Sequence, residues 1–392
     1  MRPGIPVFEK QETCAWKGNR MTGKKRIGEL DVFRFVFIMV IVMRHFDTGT
    51  FDFGNIGVEF FFTLSGLLMA RHAEKWDKST DREGRDLNLM AHETWSFLLG
   101  KIRAFYKYYI FAFVFRIIVR SIIINHMTVQ AIVMRLLRSI PTLSLSFFAI
   151  SETSTGNYIN ATWYLSAMLI AMLVLYPILL RNYRYGVKIV FPILTLFLLG
   201  YEYAANEEIS ANTAWAGFTY YGILRAASEI AFGGTLYYIS TEITGNAALM
   251  KRAERPVNRT LLTLGKVIGY GAILLYACRV GLGLKFERSY SLHALLFCGI
   301  GIMLSYSGLG WTIPDCRLTR YLGRISLPIF IFHKTLRAAW LEAIGTEKVT
   351  MEYNWIMVIV CVAACIVLMY VTDFLALSIQ KLRAARKAKL NA

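Results

Sequence analysis

Long apolar stretches alternate with short polar ones along most of this chain. The apolar stretches are about twenty residues long, the length that a helix needs to cross the roughly 30 Å hydrocarbon core of a bilayer. Their apolar positions are consecutive and do not alternate with polar ones, which favours helices over a transmembrane β-barrel. The pattern therefore predicts an all-α polytopic membrane protein with ten transmembrane helices, at 30–46, 54–72, 97–125, 159–181, 186–204, 217–240, 261–281, 290–308, 324–344 and 352–378.

The stretch at 129–150 is a weaker apolar segment, because it carries Arg135, Arg138 and Pro141. Arginines are costly in a helix that faces lipid, and a proline interrupts the helical hydrogen bonds. We therefore predict that this stretch forms an interfacial or re-entrant segment and does not cross the membrane.

Composition agrees with a membrane protein, since 56% of the residues are hydrophobic, 18% are charged and the mean hydropathy is +0.45. The formal net charge of +18 resembles that of a nucleic-acid-binding protein. Here, however, Lys and Arg are concentrated in alternate polar segments, which is how membrane proteins encode their topology. We expect the lipid bilayer to be a partner of this chain and nucleic acid not to be one.

The basic segments assign a side of the membrane to each loop. The loop 47–53 carries two aspartates and no basic residue, so it is predicted to lie outside. One miscounted span would move every later loop to the opposite side of the membrane, so the consistent pattern supports the count of ten. The exception is loop 126–158, whose two arginines fall on the predicted outer side. The segments rich in Lys and Arg are predicted to be cytoplasmic: 1–29, 73–96, 181–188, 241–260, 309–323 and 381–392.

Both termini are therefore predicted to lie in the cytoplasm. The chain divides into a basic N-terminal segment at 1–29, a membrane domain at 30–380 and a basic tail at 381–392. This arrangement is expected of a multi-pass protein of the inner, cytoplasmic membrane.

The first predicted span contains two charged sites on one face. Arg34 lies near its cytoplasmic end and His45 near its outer end, eleven positions later. Eleven positions are about three helical turns, so the two side chains share a face and stand roughly 16 Å apart. A cation at the inner end and an imidazole at the outer end suit a reaction whose donor enters from the cytoplasm. The alternative is that Arg34 extends to lipid headgroups and His45 caps the helix.

The second predicted span places Glu59 within an aromatic run, a few residues before Ser65. A carboxylate inside a span is neutralised or paired, and we predict His45 or Arg44 as its partner across the short loop. The alternative is that Glu59 lies at the outer interface and extends to water.

These motifs can be compared with those of known families. A Leu-Asp pair at 30–31 precedes Arg34 and His45, and a Gly-Val-Glu-Phe-Phe-Phe-x-x-Ser-Gly motif follows at 57–66. Later motifs are Trp-Tyr-Leu-Ser at 163–166, Tyr-Pro at 176–177, Leu-Gly-Arg-Ile-Ser at 322–326 and Phe-His at 332–333. Together they resemble the type-3 membrane acyltransferase family over about residues 28–380. Two departures are the stretch 101–107, which lacks the Tyr-Pro common in the family, and Met168, where many members have Glu.

The resemblance implies an O-acyltransferase that moves an acetyl or other acyl group from cytoplasmic acyl-CoA to a hydroxyl group. The expected donor is acetyl-CoA, used without a metal, and the expected acceptor is a cell-envelope glycan or a lipid-linked sugar. Such a reaction needs a base and a group that stabilises an oxyanion. We assign His45 as the base or as a transient acyl carrier, with Glu59 or Asp47 orienting it.

The remaining candidate residues bind substrate in this interpretation. Arg34, Lys101 and Arg103 would hold the phosphates of acetyl-CoA. Trp163 would stack on a sugar ring or belong to the interfacial aromatic belt. His333 and Ser65 would line the site.

Two other classes of protein explain these features less well. A secondary transporter of a small anion or lipid-linked sugar would show two similar halves with helices broken by Gly or Pro. The chain has no convincing internal repeat and only 8 Pro. A non-catalytic scaffold would give no reason for Arg34, His45, Glu59 and His333 to lie inside spans.

Overall fold

The computed structural model of the protein describes residues 26–80, 85–139, 162–209, 215–285, 287–344 and 350–390. These residues are almost entirely helical, with one isolated bridge between Trp215 and Tyr220, which confirms the all-α prediction. Each predicted span coincides with a helix. The helices are α1 (Gly28–His45), α2 (Gly57–Ser79), α3 (Leu87–Val119), α4 (Val129–Arg138), α5 (Thr162–Arg181), α6 (Phe191–Asn206), α7 (Tyr221–Gly245), α8 (Ala247–Ala253), α9 (Pro256–Ala277), α10 (Tyr290–Tyr306), α11 (Arg317–Ile344) and α12 (Met351–Leu390).

Several helix boundaries follow from local chemistry. The side chain of Asp86 accepts a hydrogen bond of 2.7 Å from the backbone N–H of Leu89, so α3 begins ten residues before the predicted span. A π-helical turn at Arg120–Ile124 continues α3, and another at Gly186–Val190 leads into α6. Helix α9 starts at Pro256, whose missing N–H costs nothing in the first turn.

By length and apolar composition, four helices in the described part of the chain can cross a membrane. They are Trp163–Arg181, Tyr183–Asn206, Pro256–Ala277 and Met351–Ala385. Others fall outside that criterion because charges lie among their apolar residues; the 18-residue helix α1, for example, contains Glu29, Asp31, Arg34 and Arg44. The ten spans and the cytoplasmic termini therefore stay predictions.

The weak segment at 129–150 is described only in part. Its first residues form α4, an amphipathic helix of ten residues that is too short to span a bilayer. Arg135 of α4 donates a 3.4 Å hydrogen bond to the hydroxyl of Ser121 in the turn that ends α3. Residues 140–161, including Pro141, lie outside the described residues, as do 1–25 and 391–392 of the two basic ends.

Helix α1 is held against its neighbours at both ends. Glu29, in its first turn, accepts a 2.9 Å hydrogen bond from Lys266 of α9, and both side chains are buried. After α1, the backbone N–H of Phe53 donates to the carbonyl of Ala277, where α9 ends. Helices α1 and α9 therefore run in the same direction. We call the two ends of the bundle the Arg34 end, where α1 begins, and the His45 end, where α1 finishes.

Helices α2 and α7 approach each other closely through glycines. A Cβ added at Gly66 of α2 would overlap the carbonyl oxygen of Ile230, and one at Gly233 of α7 would overlap that of Thr63. Small residues allow this approach, which is common between membrane helices. This contact sets the packing of α2 against α7 and therefore the position of Glu59 on α2.

Substitution Gly66→Ala is expected to destabilise the protein by about 1–3 kcal/mol, because the added methyl group must push two backbones apart. The control is Gly200→Ala on α6, where an added Cβ meets nothing within 4 Å. Thermal unfolding in detergent, followed by intrinsic fluorescence, compares the two variants. Equal melting temperatures for both variants would show that the backbones of α2 and α7 leave room for a methyl group at position 66.

Candidate active site

Two histidines face each other at the His45 end. The rings of His45 and His333, on α1 and α11, stack with centroids 5.2 Å apart and an angle of 24° between their planes. His333 is fully buried, and its Nδ1 lies 3.0 Å and 2.8 Å from the carbonyl oxygens of Ile329 and Phe330. Since a carbonyl only accepts, Nδ1 carries the proton and Nε2 of His333 is left with a lone pair. This Nε2 has no hydrogen-bond partner among the described residues.

Asp47, a candidate for orienting His45, contacts two arginines. It accepts hydrogen bonds of 3.2 Å from Arg44 and 2.6 Å from Arg337, and its backbone carbonyl accepts one of 3.1 Å from Asn354. Its φ of 50° places it in the left-handed region, which shapes the turn after α1. The structure thus places Asp47 next to the histidine pair, where it orders the arginines that flank His45.

Glu59 is fully buried and is bound by Arg225 of α7. The guanidinium donates bonds of 2.5 Å and 2.8 Å to the two carboxylate oxygens, a bidentate pair. The predicted pairing of Glu59 with Arg44 or His45 is therefore wrong. The carboxylate of Glu229, one turn further along α7, lies 3.4 Å from the same guanidinium.

Sequence reasoning missed Arg225, although a signal was present. Arg225 and Glu229 are charged residues four positions apart inside a predicted span, which is unusual enough to indicate a buried role. Trp163, a candidate for sugar stacking, packs against this cluster: the Arg225 guanidinium lies 5.6 Å above its ring, and only 7% of Trp163 is exposed.

A second polar site lies at the Arg34 end. Asp31 accepts bonds of 3.0 Å from Arg34 and 2.5 Å from Arg26, and both arginines remain partly exposed. A cavity of about 120 Å³ opens beside them, lined also by Arg71 and Tyr306. Three arginines and one carboxylate make this cavity positively charged, so it suits an anionic ligand.

The other two basic candidates differ in position. Lys101 lies over the ring of Phe97 at 5.2 Å, and it is near enough to Arg34 for their charges to interact. Arg103 is exposed on another side of α3, because residues two positions apart face nearly opposite directions on a helix. The structure brings Lys101 to the Arg34 end of the site and does not bring Arg103 there. Arg71, which the sequence reasoning did not single out, takes part in the cavity instead.

Aromatic side chains of α5 and α11 meet near the histidine pair. Tyr164 interacts with Ser65 and with the charge of Arg34. The Tyr164 ring meets that of Phe330 at 5.4 Å, and Phe330 meets His333 at 6.2 Å. Tyr164 and Phe330 therefore form a chain of ring contacts that reaches the histidine pair. Within the described ranges, no three His, Cys, Asp or Glu side chains are grouped so that they could hold a metal ion.

Comparison with known proteins adds one finding to this geometry. Residues 27–373 match the sequence model of a family described as "Acyltransferase domain", the type-3 acyltransferases, and the match covers nearly all of the chain. No curated protein and no solved structure matches the chain.

Proposed function

The chain belongs to the type-3 acyltransferase family, and from that premise we propose that it is a multi-pass O-acyltransferase of the cytoplasmic membrane. It transfers an acetyl or other acyl group from cytoplasmic acyl-CoA, with acetyl-CoA as the expected donor. The acceptor is a hydroxyl of a cell-envelope glycan or a lipid-linked sugar. The observation that carries the proposal is the location of an imidazole pair and an arginine-lined cavity at opposite ends of one face of α1.

The donor binds at the Arg34 end. Guanidinium groups pair with phosphate oxygens in a bidentate manner, and Arg26, Arg34 and Arg71 surround one cavity. Lys101 adds a further cation. Arg34 and His45 are separated by about 16 Å along α1. The pantetheine arm of acyl-CoA is long and unbranched, so it suits a donor that must reach from one end to the other.

The chemistry takes place at the His45 end. The acceptor oxygen attacks the thioester carbonyl, an imidazole takes its proton, and the C–S bond breaks to release the thiolate, which is then protonated. Alternatively, a nitrogen of His45 attacks the thioester carbonyl first and the C–S bond breaks to release the thiolate; the acceptor hydroxyl then takes the acyl group as the bond to nitrogen breaks. The Nδ1 of His333 is fixed by two carbonyls, so the His333 ring has a set orientation and holds the stacked ring of His45 in place.

The carboxylates have positioning roles in this scheme. Asp47 holds Arg44 and Arg337 beside the imidazoles. Glu59, bound by Arg225, fixes α2 and α7 to each other, and Trp163 covers that ion pair. Neither carboxylate is hydrogen-bonded to His45 in the described structure, so each acts through its arginine partners.

The test of this function is a transfer assay. Membranes that contain the protein receive labelled acetyl-CoA and the surface polysaccharide of the host. We expect labelled polysaccharide and an equal amount of free CoA. If the wild type neither transferred nor hydrolysed the donor, the alternative of a secondary transporter would be favoured.

Substitution Arg71→Gln is expected to raise the KM for acetyl-CoA about tenfold with little change in kcat, because a charge-assisted phosphate contact is lost before the chemical step. The matched control is Arg184→Gln, at an exposed arginine in the turn after α5. Steady-state kinetics with varied acetyl-CoA measures both. An unchanged KM in the Arg71 variant would mean that the cavity does not hold the donor.

A further inference from the structure

Positive charge surrounds the histidine pair. The charges of Arg44, Lys334 and Arg337 all act on His45, and those of Lys334 and Arg337 also act on His333. The carboxylate of Asp47 lies between Arg44 and Arg337 and is 57% exposed. Nε of Arg44 is buried and has no hydrogen-bond partner in the described part of the chain. This arginine therefore keeps donor capacity beyond its single bond to Asp47.

The basic surface extends outward from the pair along the same end of the bundle. Arg120 lies in the turn that ends α3, and Arg135 and Arg138 lie on α4, which packs against that turn. Arg116 of α3 is buried and is neutralised by a bidentate pair with Glu342 of α11, at 2.5 Å and 2.7 Å, so it adds no charge to this surface. The topology predicted from charge leaves this end outside the cytoplasm, where arginines are otherwise sparse. Arg44 and Arg337, whose charges act on His45, therefore call for a functional explanation.

These positive charges raise the free energy of the protonated imidazole that the reaction forms. When an imidazole takes the proton of the acceptor hydroxyl, it becomes a cation among cations, and like charges repel strongly where little water screens them. In many hydrolases a carboxylate offsets this charge. No described carboxylate is bonded to either imidazole here. A negative charge that arrives with the acceptor would offset the new imidazolium and the arginines together.

We propose that the acceptor carries a negative charge, a phosphate or a carboxylate close to the hydroxyl that is acylated, and that Arg44 and Arg337 bind it. This inference rests on the proposed function and names its acceptor class, an anionic saccharide. The anion takes no covalent part: the new ester forms at the hydroxyl, the thioester C–S bond breaks, and the hydroxyl proton passes through the imidazole to the leaving thiolate.

The test starts from the product and does not require the acceptor to be known. Membranes with the wild-type protein are incubated with labelled acetyl-CoA and the glycans of the host envelope. The labelled glycans are then separated by anion-exchange chromatography. We expect the label to be retained on the column and released by salt. Cleavage of phosphodiesters followed by phosphatase treatment distinguishes the sources, because a phosphate-bearing product then loses its charge and its retention, and a carboxylate-bearing one keeps both.

Variants test the role of the arginines. Arg337→Gln is expected to raise the apparent KM for the retained, anionic glycan fraction about tenfold and to leave the KM for acetyl-CoA unchanged, whereas Arg337→Lys retains most of the affinity. The control is Arg288→Gln, at an exposed arginine in the loop after α9 at the same end. A structural defect would change both KM values, which separates it from a binding defect.

The outcomes are distinguishable. Label that elutes with the neutral glycans would overturn the anionic acceptor and leave the transferase intact, as would an acceptor KM unaffected by Arg337→Gln. Label found only in anionic phospholipid would show that the acceptor is a lipid, and would equally overturn the saccharide proposal. The absence of any transfer would instead count against the proposed function.

Discussion

Replacement of His45 by alanine is expected to lower the rate of acyl transfer by about 10²–10⁴-fold, the usual contribution of a general base. The imidazole stacks on His333 beside the end of α1, and its removal takes away a proton acceptor without disturbing an ion pair. The donor should still bind, since the arginine-lined cavity lies at the other end of α1. Transfer of label from acetyl-CoA to envelope polysaccharide, measured beside acetyl-CoA binding, gives both quantities.

The matched control for His45 is His293→Ala. His293 is also a histidine of a predicted span, but it is exposed on α10 and contacts the ring of Tyr290. Its loss should leave transfer within about twofold of wild type, as for most exposed substitutions. If the His45 variant transferred label at the wild-type rate, the catalytic assignment of the histidine pair would be wrong.

Substitution Arg225→Leu is expected to destabilise the protein by about 3–5 kcal/mol, because it leaves the buried carboxylate of Glu59 without its partner. Both side chains are fully buried, so water cannot replace the lost bonds. The carboxylate of Glu229 loses the same neighbour. Thermal unfolding in detergent should show a much lower melting temperature and a low yield of folded protein.

Removal of both partners should cost less than the sum of the single changes. In the double variant Glu59→Gln, Arg225→Leu no charge is left stranded at position 59, so the two effects are not additive. The control is Arg317→Leu, an exposed arginine at the start of α11, which should barely change the melting temperature. Additive effects of the two buried substitutions would show that they do not act as a pair.

The helices were predictable because their signal is local. Each predicted span is a run of apolar residues, and such a run indicates where a helix lies, although the polar ends of helices such as α3 and α12 continue beyond it. The eleven-residue spacing of Arg34 and His45 likewise fixes a shared helix face without knowledge of any neighbour. The family motifs identified from the same residues agree with the family match over 27–373.

The pairings between helices were not predictable in this way. Glu59 and Arg225 are 166 positions apart, and nothing in one sequence says which charged positions of two helices will meet. Asp47 lies in a turn whose left-handed backbone directs it to Arg337, far along the chain. The exposed position of Arg103, by contrast, could have been anticipated, since Lys101 two residues earlier takes the opposite face of α3.

The central claim is that an acyl group passes from the Arg34 end to the His45 end of one bundle. Transfer in sealed, inverted membrane vesicles tests it most directly, because added acetyl-CoA then reaches only the cytoplasmic face. We predict that label accumulates in glycan inside the vesicles and becomes accessible to an added esterase only after detergent is supplied. Labelled glycan that the esterase removes from intact vesicles would contradict the account, since donor and acceptor would then react on the same side.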